Sequence, residues 1–280
     1  PENYNQGIKL RSHGFFSEPS YAGLAYYAAA LSLLCKYFLF KQSKRYLIFF
    51  FYFFSTGILT LSLHIITFFI SFLIIVYFLF NILNSKSLKI LLIIFVLFTF
   101  MFGLFALIYP EFFEIFTEHF LLRINIFDKE TRSLSLLAWL RGFEQMIFSI
   151  EKTYIFGFGL GSTAEYYFPS YYGEKLSDFG LFNLTLKDGF SLFFRLIIEA
   201  GIIFTLVFLF YLYFKIKNFF YTYKLNKIEL KNYFFLFIFS LTIIIGSLIK
   251  EPNYARSSLC IALLFISTIP INRNYDKKKN

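Results

Sequence analysis

The feature that most constrains this chain is a series of apolar runs, each nearly as long as a membrane is thick. A helix of about 20 apolar residues crosses the hydrocarbon core of a bilayer. Runs near this length occupy residues 21–40, 46–62, 64–84, 88–109, 190–214, 232–250 and 256–271. The sequence therefore predicts seven transmembrane helices. The second and third runs meet around Ser62 and His64 with almost no loop, so a shorter hairpin or a re-entrant pair is the alternative there.

Composition excludes a water-soluble globular protein. Hydrophobic residues make up 58% of the chain and charged residues only 16%, whereas soluble domains carry roughly 25% charged residues. The predicted fold class is all-α, a polytopic transmembrane helical bundle that forms a single integral membrane domain over residues 1–280. Because the chain begins at Pro1 inside a loop pattern, we expect it to be the C-terminal part of a longer protein.

The placement of basic residues predicts the orientation of the bundle. Fifteen of the 27 Lys and Arg residues fall on one face of the predicted bundle, with only Glu229 and Asp276 of the 17 acidic residues. That face is cytoplasmic by the positive-inside rule. The long polar segment 110–189 then forms a large extracytoplasmic loop, on the same side as residues 11–20 and 250–256. The net charge of +10 is explained by topology, so membrane lipid is a predicted partner and nucleic acid is not.

An arginine and a glutamate inside an apolar run need a reason, because ionisable groups are costly at the centre of a membrane helix. Arg195 and Glu199 are four residues apart in FSLFFRLIIEAG and share one helical face. They form either a structural ion pair or a functional site. Arg before Glu is the less favourable order for an intrahelical pair, which favours other partners for each.

The loop 110–189 contains one segment with helical spacing. Apolar residues between Leu134 and Ile155 predict a helix that lies on or dips into the membrane interface, with Arg141 and Glu144 on one face. The glycine-rich stretch GFGLG, residues 157–161, follows at once and permits either a helix stop or close backbone approach to a ligand. No histidine has ligand spacing, so neither a metal nor another cofactor is predicted.

Several motifs together resemble the O-antigen polymerases, which extend repeat-unit polysaccharides on a polyprenyl carrier. RSHGFFSEPSYAGLAYY, from Arg11, resembles the R-x-x-G-x-F-x-E-P-S segment before a membrane helix of that family. FFSTGILTLSLHI, from Phe53, is similar to its S-x-T-G-I-L helix. Arg141 before GFGLG is similar to the arginine-led helix of its extracytoplasmic loop, and FRLIIEAGIIFTLVFLF to the helix that closes this loop.

The resemblance implies a membrane glycosyltransferase that polymerises polyprenyl-pyrophosphate-linked oligosaccharides into O-antigen or capsular polysaccharide. It implies a bacterial inner-membrane location with the active site facing the periplasm, and a chain-length regulator protein as a further partner. The alternatives are an O-antigen ligase and a lipid-linked oligosaccharide transporter. Where the ligases carry a histidine near the start of the helix after the loop, this chain has Phe190 and Ser191, which favours the polymerase.

The candidate site residues follow from the chemistry of that reaction. Without metal ligands, the charge of a departing pyrophosphate must be met by guanidinium groups, and the acceptor hydroxyl must be oriented or deprotonated by a carboxylate. Catalytic roles are predicted for Arg11, Glu18, Arg141, Glu144 and Asp188. Substrate-binding roles are predicted for Arg132, Gly157, Gly159, Gly161, Arg195, Glu199 and Arg256.

Overall fold

A computed structural model of the chain confirms the all-α class, since every regular element among the residues it describes is helical. These residues are 19–40, 43–60, 62, 64–80, 134–164, 170–181, 191–225, 227–250 and 257–268. The helices are α1 Pro19–Phe40, α2 Arg45–Leu59, α3 His64–Phe80, α4 Leu134–Thr153, α5 Tyr171–Asp178, α6 Leu192–Leu225, α7 Lys227–Ile249 and α8 Ser257–Thr268. The chain forms two compact units, and α6 contributes residues to both.

Two of the described helices are long and apolar enough to cross a membrane. They are Ser20–Phe40 within α1 and Leu192–Tyr223 within α6, which coincide with the first and fifth predicted runs. The apolar parts of α2, α3, α7 and α8 are shorter, at 10–17 residues each. The run 88–109 lies outside the described residues. Length and composition thus identify two candidate spans in the described ranges, and the bundle of seven spans stays a prediction.

The first unit is organised by aromatic rings that α1, α2 and α3 place together. The Tyr27 ring lies 5.6 Å from that of Phe54 and 5.9 Å from that of Phe68. Gly57 of the STG motif lies beneath the Tyr27 ring, and a Cβ atom added there would come within 2.8 Å of Tyr27 Cε1. A residue without a side chain therefore lets α1 and α2 approach closely, as small residues do between membrane helices.

The C-terminal part of α6 belongs to this first unit. Phe219 stacks on Phe237 of α7 with a centroid separation of 3.6 Å, and the Tyr223 hydroxyl donates to the Leu39 carbonyl at 3.3 Å. These contacts bury aromatic side chains on the last turns of α6, which extends to Leu225 although its predicted apolar run ends at residue 214.

In the second unit, α4 is packed on two sides. One face places Met146 in a buried cluster with Phe194, Ile197 and Ile198 of α6. The opposite side buries residues that pack on α5, namely Leu137 and Ala138 against Leu176. The predicted helix 134–155 is thus confirmed as α4, while its contact with a membrane interface stays a prediction. Arg141 of this helix is therefore held inside a packed unit.

Candidate functional site

The site is built around a break in α6 at Gly201. Its backbone has φ 82° and ψ 172°, which lies outside the helical region and in a conformation that is essentially restricted to glycine. A break of this kind removes intrahelical donors from the carbonyl groups of the preceding turn. Those carbonyls belong to the residues around Glu199, so the break exposes polar backbone at the position of the buried charge.

The glycine-rich loop supplies the missing donors. The backbone N–H of Phe158 donates to the Ile198 carbonyl at 2.8 Å, and that of Gly159 donates to the Glu199 carbonyl at 2.9 Å. The Ser149 hydroxyl of α4 also donates to the Ile198 carbonyl, at 3.3 Å. Two segments that are 40 residues apart in the sequence therefore pair through their backbones, as polar backbone groups in an apolar surrounding must.

This pairing depends on two glycines that touch. A Cβ atom at Gly157 would lie 2.6 Å from the Gly201 nitrogen and 2.8 Å from the Glu199 carbonyl oxygen, while a Cβ atom at Gly201 would meet the carbonyl oxygen of Ile155. Gly157 thus approaches the backbone of α6. Around Gly159 and Gly161, a Cβ atom would meet nothing within 4 Å among the described residues. The substrate-binding role predicted for the three glycines remains a prediction, and only the latter two face open space.

Glu199 is the most constrained charged side chain of the site. It is only 2% exposed, and its Oε1 accepts from the Thr163 hydroxyl at 2.6 Å and from Arg195 Nε at 3.0 Å. The ion pair that the sequence offered as one alternative therefore exists, despite the less favourable order. Glu199 also has the second partner that the other alternative required. That partner, Thr163, was missed, because no sequence spacing links residues 36 apart.

Arg141 and Glu144 form the second charged group. Arg141 is fully buried, at 0% exposure, which is rare for an arginine. Glu144 Oε2 accepts from the Tyr172 backbone N–H of α5 at 3.3 Å. Burial raises the pKa of the Glu144 carboxyl, and this outweighs the hydrogen bonds from Tyr172 and Ser170 and the charge of Arg141, which all lower it. The pKa of Glu144 is thereby shifted toward the range that suits a general base.

The two charged groups lie on different helices, Arg141 and Glu144 on α4 and Arg195 and Glu199 on α6. At about 100° per residue, Arg141 is about 140° around the helix from Met146, which packs on α6. Arg195 lies on α6 itself, paired with Glu199. The described contacts therefore join Arg141 with Glu144, and Arg195 with Glu199 and the glycine loop, and they do not join the two arginines directly.

The remaining predicted site residues lie outside the described residues: Arg11, Glu18, Arg132, Asp188 and Arg256. Among the residues that are described, no three His, Cys, Asp or Glu side chains form a cluster suited to a metal ion. Comparison of this chain with protein families, with curated proteins and with solved structures finds no match.

Proposed function

We propose that this chain is a polytopic glycosyltransferase of the bacterial inner membrane. In this proposal it polymerises polyprenyl-pyrophosphate-linked oligosaccharide repeat units into O-antigen or capsular polysaccharide at the periplasmic face. An acceptor hydroxyl oxygen attacks the anomeric carbon, the bond from that carbon to the diphosphate oxygen breaks, and the electron pair leaves with the diphosphate. Guanidinium groups stabilise the leaving charge without a metal ion.

The observation that supports the proposal most is the fully buried Arg141 on α4. A buried guanidinium is retained at a large desolvation penalty unless anionic groups surround it. The neighbouring Glu144 interacts with this guanidinium, whose charge acts to lower the pKa of the carboxyl against the larger effect of burial. A diphosphate would bring the negative charge that such a site accommodates, and a planar guanidinium binds phosphate oxygens in pairs.

Glu144 is the described carboxylate best suited to receive the proton of the acceptor hydroxyl. A base works best when its pKa approaches the operating pH, and burial shifts the pKa of Glu144 upward. Once the hydroxyl oxygen bonds to the anomeric carbon, its proton passes to a Glu144 oxygen. Glu18 and Asp188 are the other candidate bases from the sequence, and both lie outside the described residues.

The glycine loop and α6 support the same proposal. The motifs that suggested the family, an arginine-led helix ending at glycines and a helix with Glu199 and Gly201, are distant in sequence. The Gly159 N–H donates to the Glu199 carbonyl at 2.9 Å, so these two motifs form one structural unit. This contact between the two motifs supports the proposal.

A transporter is the second candidate, favoured by the broken α6. Discontinuous helices bind substrates or ions in transporters through unwound carbonyl groups and half-helix ends. In this chain Gly201 interrupts α6 at φ 82°. However, the carbonyls of Ile198 and Glu199 already accept hydrogen bonds from the loop, which compete with an ion for these oxygens. The enzyme therefore remains the better proposal.

The ligase alternative is disfavoured by the role of Ser191. It occupies the region where ligases carry a histidine, and its hydroxyl donates to the Leu248 carbonyl at 2.6 Å while it accepts from the Phe194 N–H at 3.5 Å. These bonds fix the start of α6. Ser191 therefore has a structural role at this position, and its side chain is not a base like the histidine of the ligases.

The test uses purified protein with lipid-linked repeat units from source cells that lack this chain. Wild-type protein should form long polymer. Arg141→Met replaces the guanidinium with an unbranched apolar side chain, and it should reduce the rate of polymer formation about 100-fold or more. Lys152→Met on the exposed face of the same helix is the matched control and should leave the rate unchanged. Absence of polymer with the wild type, or normal polymer with Arg141→Met, would refute the proposal.

Cell glycans separate the alternatives. Loss of a polymerase leaves single capped repeat units, whereas loss of a ligase leaves none. Loss of a transporter traps the lipid-linked units on the cytoplasmic face.

A further inference from the structure

A buried polar stripe runs along α4 from the arginine to the break in α6. It consists of Arg141, Gln145 and Ser149, spaced four residues apart and 0%, 5% and 0% exposed. Residues at this spacing lie on neighbouring turns, about 6 Å apart along the axis. The other buried side chains of α4 are apolar, so the burial of three polar side chains on successive turns needs an explanation.

Ser149 and Arg141 each have one. Ser149 donates to the Ile198 carbonyl at the break, and Arg141 interacts with Glu144 one turn along its own helix. Gln145 has none among the described residues, since neither its amide oxygen nor its amide nitrogen makes a hydrogen bond there.

A buried amide without hydrogen-bond partners lowers the stability of the fold. Burying such a group without hydrogen bonds is unfavourable, and nearly all buried side-chain polar atoms in proteins have a partner. An apolar residue of the same length would stabilise the unit. A glutamine at this place is explained if its partner arrives with the substrate, because sites that bind ligands are often less stable than they could be.

We propose that Gln145 binds a hydroxyl group of the sugar that is linked to the diphosphate. This inference rests on the proposed function, in which Arg141 takes the diphosphate. The first sugar is bonded directly to that diphosphate, so its ring lies about one helical turn away, where Gln145 is. A planar amide presents a donor and an acceptor side by side, which matches neighbouring hydroxyl groups of a sugar ring.

The experiment compares two probes on the purified full chain. One is polyprenyl pyrophosphate without sugar, and the other is the lipid-linked repeat unit from source cells that lack this chain. Each ligand raises the thermal unfolding midpoint according to its concentration and affinity. Wild-type protein should respond to both probes, and more strongly to the probe that carries sugar.

Gln145→Met should behave differently in two measurements. Without ligand, its unfolding midpoint should rise by about 3 to 6 °C, because the unpartnered amide is gone. The midpoint shift with sugarless polyprenyl pyrophosphate should persist, while the additional shift from the sugar should vanish and the KM for the repeat unit should rise about five- to tenfold. Glu151→Met, on the exposed side of α4, is the matched control and should change neither response.

The outcomes distinguish this inference from the function on which it rests. If wild-type protein responds to neither probe and forms no polymer, the proposed function fails. If it responds to both and Gln145→Met responds like the wild type, only the role of Gln145 is overturned. A lower unfolding midpoint for Gln145→Met also overturns it, because the amide would then serve the fold.

Discussion

The contact between the glycine loop and the broken helix can be tested by adding one methyl group at either of two glycines. Gly157 and Gly161 have similar left-handed backbones, with φ +72° and +82°. They differ in their surroundings, since a Cβ atom meets the α6 backbone at Gly157 and nothing described within 4 Å at Gly161. Gly161→Ala therefore introduces backbone strain alone, while Gly157→Ala introduces the same strain and a collision.

The size of the difference follows from the distances. The strain of an alanine at positive φ is about 1 to 2 kcal/mol for either variant. At Gly157 the added Cβ lies 2.6 Å from the Gly201 nitrogen, whereas ordinary contact begins at 3.4 Å, so the loop must move away by about 0.8 Å. The bonds from Phe158 and Gly159, at 2.8 and 2.9 Å, would then lengthen to about 3.6 Å and be lost. Two buried backbone bonds add about 2 to 4 kcal/mol.

The assay is thermal unfolding of both variants in the same detergent, with a urea titration where unfolding is reversible. Gly157→Ala should be less stable than the wild type by about 3 to 6 kcal/mol, and Gly161→Ala by about 1 to 2 kcal/mol. Equal destabilisation of the two variants would refute the contact between the loop and α6. A matching loss of stability in Gly201→Ala, whose Cβ would lie 2.6 Å from the Phe156 carbonyl carbon, would support the same contact from the other side.

Two further predictions concern the carboxylates. Because burial raises the pKa of folded Glu144 above the ordinary 4.5, the folded protein holds that proton more tightly than the unfolded chain does, and the free energy of unfolding should fall as pH rises through this raised pKa. Glu144→Gln should flatten this pH dependence of the unfolding midpoint; an unchanged profile would contradict the raised pKa. Thr163→Val removes the 2.6 Å hydrogen bond to Glu199 and should lower stability by about 1.5 to 3 kcal/mol, while Thr163→Ser should retain most of it. Equal unfolding midpoints for the valine and serine variants would show that the bond contributes nothing.

Hydrophobic periodicity predicted the helices that are governed by local sequence. The start of α1 at Pro19 and the extent of α4 agree with the sequence to within a few residues. The C-terminal end of α6 did not, because Lys215 and Lys217 interrupt the apolar run. The helix continues beyond them because Phe219 stacks on Phe237, a tertiary contact that no window of residues contains.

The candidate site was likewise predictable only where its residues are close together in the sequence. Arg195 and Glu199 are one turn apart, so a local rule found them, and the pair is present at 3.0 Å. The break at Gly201 was not predicted, because a single glycine in an apolar run is common in uninterrupted membrane helices. The break at Gly201 depends on a second segment, because only a loop with a glycine at position 157 can approach α6 closely enough to replace the lost helical hydrogen bonds.

One loop holds Glu199 at both its backbone and its side chain. The Gly159 N–H donates to its carbonyl, and the Thr163 hydroxyl donates to its carboxylate. The carboxylate in turn orients Arg195 through Nε, which restricts the rotamers that a long side chain would otherwise sample. Under the proposed function, a charged group held in this way before a substrate arrives needs little reorganisation when charge develops. The glycine loop therefore supports the charged site through the close approach of Gly157 to the α6 backbone and the hydrogen bond from the Gly159 N–H to the Glu199 carbonyl.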